Sequence, residues 1–548
     1  MNITETSLQT KRATSFSLRH YAYPAFVGAL GILFACGIWF GIPQLSAHAR
    51  IAFITFGLAI LGWVLTDIND TYIALLASLV FTVLGIDSPN EFFEALGDST
   101  IWLLLASFVV AAGVVSSGLS HRLTALIAAR AGSVGQLFYI LTTAIFLSAF
   151  IIPATSGRAA LMLPFFTALS HGIGNQRVSK ALALLFPTII LLSASGSLIG
   201  AGAHLVTVDI LSHMGNDKIS FWQWLVWGLP FALVSCFLST WIILRLFLTR
   251  AERKLPLRLT AEQLSDSAST ILIKPGKIIA RQQRFVLIVV LALITLWATE
   301  SMHGIDSTIV ALLGALTITM PNVGVISFKD AFKHIDWNII IFMAATVELG
   351  EALVESGGSE WLMQGIFNTL PQDSAPAQIL VISLIAIVSL LSHLLINSRT
   401  ARSSVLIPLI VIVSISLGYN PTTLAFLSTV AAGFCLTLPV SAKPVAMFSR
   451  IESRTTYQPR DLLRLSSLLL PVHFILLLVF TFTIWPRLGL SLDPRYLPTP
   501  PTAPQWHTMD SIDASRKVPA SASKAFPKGI DPVGKDSSNT ISTGSREP

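Results

Sequence analysis

The sequence predicts an all-α polytopic membrane protein, two inverted repeats of about five spans each and about 11 transmembrane helices in all. Three observations lead there. Only 12% of the 548 residues are charged against 53% hydrophobic, and a soluble chain carries about twice that charged share. Apolar runs recur at about 17–25 residues, the length that crosses a hydrocarbon core of ~30 Å. A motif of the first half also returns without gaps in the second. The runs do not alternate in the way that lipid-facing β-strands do.

Taken in order, Met1–His20 carries Lys11, Arg12 and Arg19 and is expected in the cytoplasm by the positive-inside rule. The run 25–42 is too long for a signal h-region, so it reads as a retained first span. That span and repeat 1 fill 21–249, with spans at 22–42, 50–66, 71–86, 100–118 and 222–248. Between them, 136–173 has two apolar arms joined by "IPATSGR" and basic residues at both ends. This pattern predicts a re-entrant hairpin, whose non-helical tip is tolerated at membrane depth only inside protein or on a cavity. A broken helix follows over 181–212, because "SASGSLIGAGAH" is too glycine-rich for an uninterrupted one.

A basic loop, 250–284, is expected in the cytoplasm. Repeat 2 covers 285–487, with spans at 285–300, 307–321, 337–356 and 465–485, a second hairpin over 377–417 and a second broken helix over 421–447. Residues 488–548, rich in Pro, Ser and Lys, are expected to be a disordered extracytoplasmic tail. Cys36, Cys236 and Cys435 are scattered through apolar segments, so neither a disulfide framework nor a structural zinc is expected. The net charge of +7 follows from basic loops and does not point to nucleic acid.

"IPATSGRAALMLP" (152–164) aligns on "INSRTARSSVLIP" (396–408), and "GSLIGAGAHLV" (196–206) parallels "TLPVSAKPVAM" (437–447). Paired interruptions of this kind place a transport site near the midplane. Short helices starting at about Gly157 and Ala401 would aim free N–H groups and positive dipole ends at an anion. Thr155, Ser156, Asn397, Ser398 and Thr400 add hydroxyl and amide groups, and Arg158, Arg399, Arg402, Lys443 and His204 add positive charge. Guanidinium binds carboxylate or sulfate in a fork. A charge at that depth costs at least ~2.5 kcal/mol, so it stands there with a partner or a task. Neither tip and neither break holds a carboxylate.

Plainer readings compete. Arg158 and Arg402 would cap neighbouring helix C-termini, Arg399 would pair with an acid such as Glu348, His204 would be a packed histidine, and Lys443 would snorkel. Asp67 and Asp70 read as turn and cap residues, and Asp336 as an N-cap. No HExxH, GxSxG or paired Asp lies in the spans, so no catalytic residues, no metal and no enzyme activity are expected. An ion antiporter or arsenite-type permease, or a non-transporting sensor, remains the alternative.

The tips and breaks resemble the divalent-anion/sodium symporter family, transporters of dicarboxylates, citrate and sulfate. That family carries Ser-Asn-Thr at each tip and a Pro further on. Here Ala154-Thr155-Ser156 and Ser398-Arg399-Thr400 occupy those places, with "GWVLTDINDTYIALL" (62–76) like an early family segment. The resemblance implies an elevator-type carrier, a homodimer, with a small anion as substrate; the membrane is expected to be a bacterial inner membrane, and the basic N-terminus and eleven crossings put the N-terminus in the cytoplasm and the C-terminus outside. The resemblance also implies sodium, yet both family asparagines are absent, replaced by Thr155 and Arg399. Arg399 is therefore expected to act as a built-in cation, with room for one sodium ion at Ala154, Thr155 and Gly200, and no other cofactor.

Overall fold

Where the apolar runs meet Gly, Pro or a capping residue, the described residues break into 17 helices of seven residues or more. The structure, a computed structural model, describes residues 4–86, 88–119, 130–214, 218–257, 277–359, 361–362, 375–451 and 454–493. Residues 494–548 and 258–276 of the long loop lie outside the described residues. Helix α1 spans Thr4–Gly41, α2 Ala47–Leu65, α3 Asp70–Val83 and α4 Ser99–Ser116. Then come α5 Val134–Ser148, α6 Thr155–Ile173, α7 Gln176–Ser193, α8 Gly202–His213 and α9 Phe221–Phe247. The second half runs α10 Lys277–Ala298, α11 Ser307–Ile318, α12 Trp337–Glu355, α13 Ala375–Leu391 and α14 Arg399–Ser416. It closes with α15 Pro421–Ala432, α16 Lys443–Ser449 and α17 Pro459–Val479.

Among the described residues nine helices are long and apolar enough to cross a membrane, with five shorter apolar ones beside them. The protein is an integral membrane protein. One two-residue hairpin, Arg450–Ile451 against Arg454–Thr455, is the sole sheet among these residues. Helix α1 begins at Thr4, so part of the expected N-terminal segment is continuous with the first span.

The expected hairpin tips are the turns between α5 and α6 and between α13 and α14. The expected breaks lie between α7 and α8 and between α15 and α16. Pro164 and Pro408 are each the tenth residue of the helix after a tip, which carries the sequence repeat into three dimensions. The packing is reciprocal. Helix α8 lies on α14 and α15, while α16 lies on α6 and α7; each post-break helix packs on the other half's tip helix. Likewise α3 packs on α12 and α4 on α11. Thr207 on α8 and Thr429 on α15 join the halves through hydroxyls 2.7 Å apart, the polar glue that apolar surroundings favour.

Burial separates the helices. The window containing α7 is 89% buried, whereas the apolar part of α1 is 6% buried and presents Ile32, Leu33 and Phe40 outward. In a bilayer such a face meets lipid without penalty.

The first break depends on close backbone approach. A Cβ on Gly200 would stand 2.3 Å from the Ala194 carbonyl oxygen, and one on Gly228 of α9 would stand 2.1 Å from that of Ser195. Neither neighbour is a flexible side chain. Gly228→Ala is therefore expected to cost about 3 kcal/mol, the upper end of overpacking penalties. Thermal melting of the solubilised protein checks this, and an unchanged melting temperature would contradict the close approach.

Candidate functional site

Six helices begin around one cavity of about 310 Å³. Its lining includes the first residues of α3 (Asn69–Thr71), α6 (Ala154–Ser156), α8 (Ala201–Ala203), α12 (Asp336, Asn338), α14 (Asn397–Thr400) and the short α16 (Ala442–Pro444). Each start exposes N–H groups with no partner inside its own helix, and each adds a partial positive charge.

The caps at these starts are unusual. Elsewhere Ser46, Asp98, Ser133, Asn175, Ser220, Asp306 and Asn420 accept hydrogen bonds at the beginnings of α2, α4, α5, α7, α9, α11 and α15. The N-cap residues of α6, α8 and α16 are Ala154, Ala201 and Ala442, with no side-chain acceptor. Alanine is among the poorest N-caps and costs about 1 kcal/mol against Ser or Asn. Ala154 also sits at φ 70°, a left-handed conformation that costs a non-glycine residue about 1–3 kcal/mol. Local stability is thus given up where three helices open on the cavity, and their first N–H groups stay available.

Side chains add charge of both signs. Arg399 lines the cavity, and its Nη1 is buried without a hydrogen-bond partner. Among the described residues none of Arg158, Arg399 and Arg402 has a carboxylate within 4.0 Å. Lys443 lines the opposite repeat's contribution. Asp70 also lines the cavity, near Ser398 and within Coulombic reach of Lys443. Asp336 occupies the N-cap position of α12 but makes no capping bond and lines the cavity too. At α3 the cap is Asn69, whose Oδ1 accepts from the Thr71 N–H at 2.9 Å. Asp70 and Asp336 therefore bring to the cavity the carboxylates that both tips and both breaks lack.

Of the residues expected to meet substrate or cation, Ala154, Thr155, Ser156, Asn397, Ser398, Arg399, Thr400 and Lys443 share this lining. Gly157, Arg158, Gly200, His204 and Arg402 do not. The helices start at Thr155 and Arg399, two residues earlier than expected, which leaves Gly157 inside α6. Arg158 is wholly buried and turns toward the first break: Nη1 donates to Ser193 Oγ at 2.9 Å, and Nη2 donates to the carbonyls of Ile190 at 2.8 Å and Gly200 at 3.4 Å. Arg402, equally buried, donates through Nη2 to Cys435 Sγ at 2.9 Å. His204 holds the Ser197 carbonyl through Nδ1 at 3.0 Å and stacks on Trp224 with centroids 4.8 Å apart. At the first break the interrupted backbone supplies spare carbonyls, and these draw Arg158 and His204 away from the cavity.

The profile of the family described as the sodium:sulfate symporter transmembrane region matches residues 24–491. The chain is similar to the sodium-dependent dicarboxylate transporter SdcS of Staphylococcus saprophyticus, 25% identical over 413 residues, covering 70% of this chain and 77% of that one. It is also similar to the citrate/succinate antiporter of Escherichia coli K12, 23% identical over 412 residues, covering 70% and 81%. Among solved structures, the YdaH transporter of Alcanivorax borkumensis aligns with a TM-score of 0.49 at 15% identity, over 82% of this chain and 99% of that one.

Proposed function

Because the chain belongs to the sodium:sulfate symporter transmembrane family, and is a membrane transporter, we propose that it carries a small di- or tricarboxylate or sulfate-like oxyanion with little or no dependence on sodium. The observation that carries this reading is the cavity of helix starts, three of them capped by alanine, with the unpartnered Arg399 Nη1 at its wall. An anion completes such N–H groups, and a fork-shaped cation completes a carboxylate or sulfate. The volume suits a small ligand. Arg399 supplies fixed charge where the resembling family has an asparagine, and a metal cation at ~4 Å from it would be repelled by ~4 kcal/mol at an effective dielectric of 20. Relatives named as a sodium-dependent carrier and as an antiporter leave both modes open to this scaffold, and Arg399 favours exchange or proton coupling.

We further propose an elevator motion. The reciprocal packing of α6, α7, α8, α14, α15 and α16 supports one body that carries tips and breaks together, moving as part of a dimer past the elements that include α3 and α12. The re-entrant hairpins, the inner-membrane location and the cytoplasmic N-terminus belong to this proposal.

Two measurements test it. A melting-temperature screen of succinate, citrate and sulfate on the purified protein should give a rise that grows with the logarithm of ligand concentration. Uptake of labelled succinate into proteoliposomes should proceed with and without a sodium gradient. Steep sodium activation in those vesicles would defeat the sodium-independent part, and silence in both measurements would defeat the anion reading.

A further inference from the structure

Beyond the cavity, α8 and α12 continue side by side and end in a second group of ionisable side chains. Asp209 lies seven residues after Gly202, about 10 Å along the axis at 1.5 Å per residue. Its carboxyl is fully buried, and neither oxygen receives a hydrogen bond. Beside it stands another carboxyl, that of Asp98 at the N-cap of α4. Two ionised carboxylates do not share a buried contact; one of them holds a proton.

The neighbours place that proton. Asp98 Oδ1 accepts from the Thr100 N–H at 2.5 Å. Burial raises the Asp98 carboxyl, but the Thr100 amide and hydroxyl, with Asp209 and Lys218 nearby, hold it below the usual carboxylate range. Asp209 is thus the member that carries the proton. On its other side His213 Nδ1 stands 3.9 Å from Asp209 Oδ1, and His213 Nε2 stands 3.6 Å from Glu351 Oε1 on α12. Side-chain exposure rises along this line, 1% at Asp209, 28% at His213 and 32% at Glu351. Among the elements packed on α8, α12 also carries Glu348 and Glu355, α14 carries Arg399 and Arg402 in its first turn, and α4 and α15 carry no ionisable side chain. Lys218 adds a hydrogen bond to Ser99.

We propose that Asp98 and Asp209 form a proton-binding pair, a second ligand site on the helix that also lines the cavity, and that its occupancy is linked to transport. When the pair releases its proton, the O–H bond that breaks there is matched by an N–H bond formed at His213 Nε2, the nitrogen that faces Glu351, since Nδ1–H already donates to the Asp209 carbonyl at 2.9 Å. Asp209 is then left as an anion against an imidazolium, and the two charges offset each other within the cluster. Because the pair joins α8 to α4, its protonation bears on whether those helices stay together. The link to transport rests on the anion reading above; the proton site itself does not.

Infrared difference spectra of the full-length reconstituted protein, recorded as pH is stepped in H2O and D2O, test the site. A protonated-carboxyl stretch is expected to persist above the ordinary carboxylate range, to vanish in Asp209→Asn and to remain in the surface variant Glu252→Gln. His213→Gln should keep the band and shift its titration, which preserves the test where Asp209→Asn fails to fold. No such band, or one that Asp209→Asn leaves in place, overturns the site. For the link, an inward proton gradient without sodium should raise labelled succinate uptake several-fold in wild type and leave Asp209→Asn unmoved, while the succinate-induced melting shift stays intact in both. A gradient response surviving in Asp209→Asn overturns the link. Loss of the melting shift in wild type instead overturns the anion reading and leaves the infrared band standing.

Discussion

Arg399→Asn is expected to weaken succinate binding about 1000-fold in sodium-free buffer and to make what remains depend on sodium. The magnitude follows from charge. A guanidinium ~4 Å from a carboxylate contributes ~4 kcal/mol at an effective dielectric of 20, and each 1.4 kcal/mol is about tenfold in affinity. Among the described residues no carboxylate lies within 4.0 Å of this guanidinium. Arg399 is the first residue of α14, where a positive side chain opposes the helix dipole, and it also stands within Coulombic reach of the buried Arg158. Its Nη2 lies 3.0 Å from where a Gly433 Cβ would be, so the side chain is held by packing close to the second break. A group placed against its own field, with Nη1 unsatisfied, gains its partner from the ligand. Asparagine removes that charge and supplies an oxygen that a metal cation can use. Melting-temperature titrations with succinate, with and without sodium, read both effects. Arg399→Lys should fall between the two, because it keeps the charge and loses the fork. Unaltered affinity in Arg399→Asn would remove the basis for a built-in cation.

How much of this was legible in the sequence depends on which physical constraint each feature answers to. The bilayer forces long apolar runs, so the helices stood out, and the expected hairpin over 136–173 differs from the observed α5–α6 pair by two residues at its start. The repeated Ile, Arg and Pro marked the tips, and eight of the predicted site residues do meet around one cavity. Asp70 and Asp336 were read as caps, because a carboxylate at a helix start does that work in most proteins. Only the fold shows that Asn69 takes the cap at α3 and that both carboxylates face the cavity. One signal was overlooked. "PATS", "GAGA" and "SAKP" place alanine at three helix starts, whereas α2, α3, α4, α5, α7, α9, α11, α12, α14 and α15 start from Ser, Asn or Asp. The arginines mark the boundary of what a motif reveals. The alignment pairs Arg158 with Arg402, but it does not say which way a guanidinium turns.

That direction separates the two by a measurable amount: Arg158→Met is expected to destabilise the protein by about 3–5 kcal/mol, and Arg402→Met by no more than about 1 kcal/mol. Helix α7 ends at Ser193, so the carbonyls of its last four residues have no partner within the helix. Arg158 gives Nη2 to one of them, Ile190, reaches the Gly200 carbonyl across the break, and gives Nη1 to Ser193. It therefore caps a C-terminus with positive charge, where the dipole favours it, and ties the first tip to the first break. Methionine fills similar space but leaves buried carbonyls bare, and each such loss carries a full desolvation penalty. Arg402 has the same burial with far less in return. Its hydrogen-bond partner among the described residues is the thiol sulfur of Cys435, a weak acceptor, and its Nε and Nη1 have none. Replacing a poorly satisfied buried charge with an apolar chain of similar size is often neutral or stabilising. Denaturation of both variants in the same detergent compares them directly, and both should retain the succinate-induced melting shift wherever they fold. Equal losses of stability would mean that the two breaks are braced alike. Intact stability with no succinate response in either variant would return that arginine to the binding site.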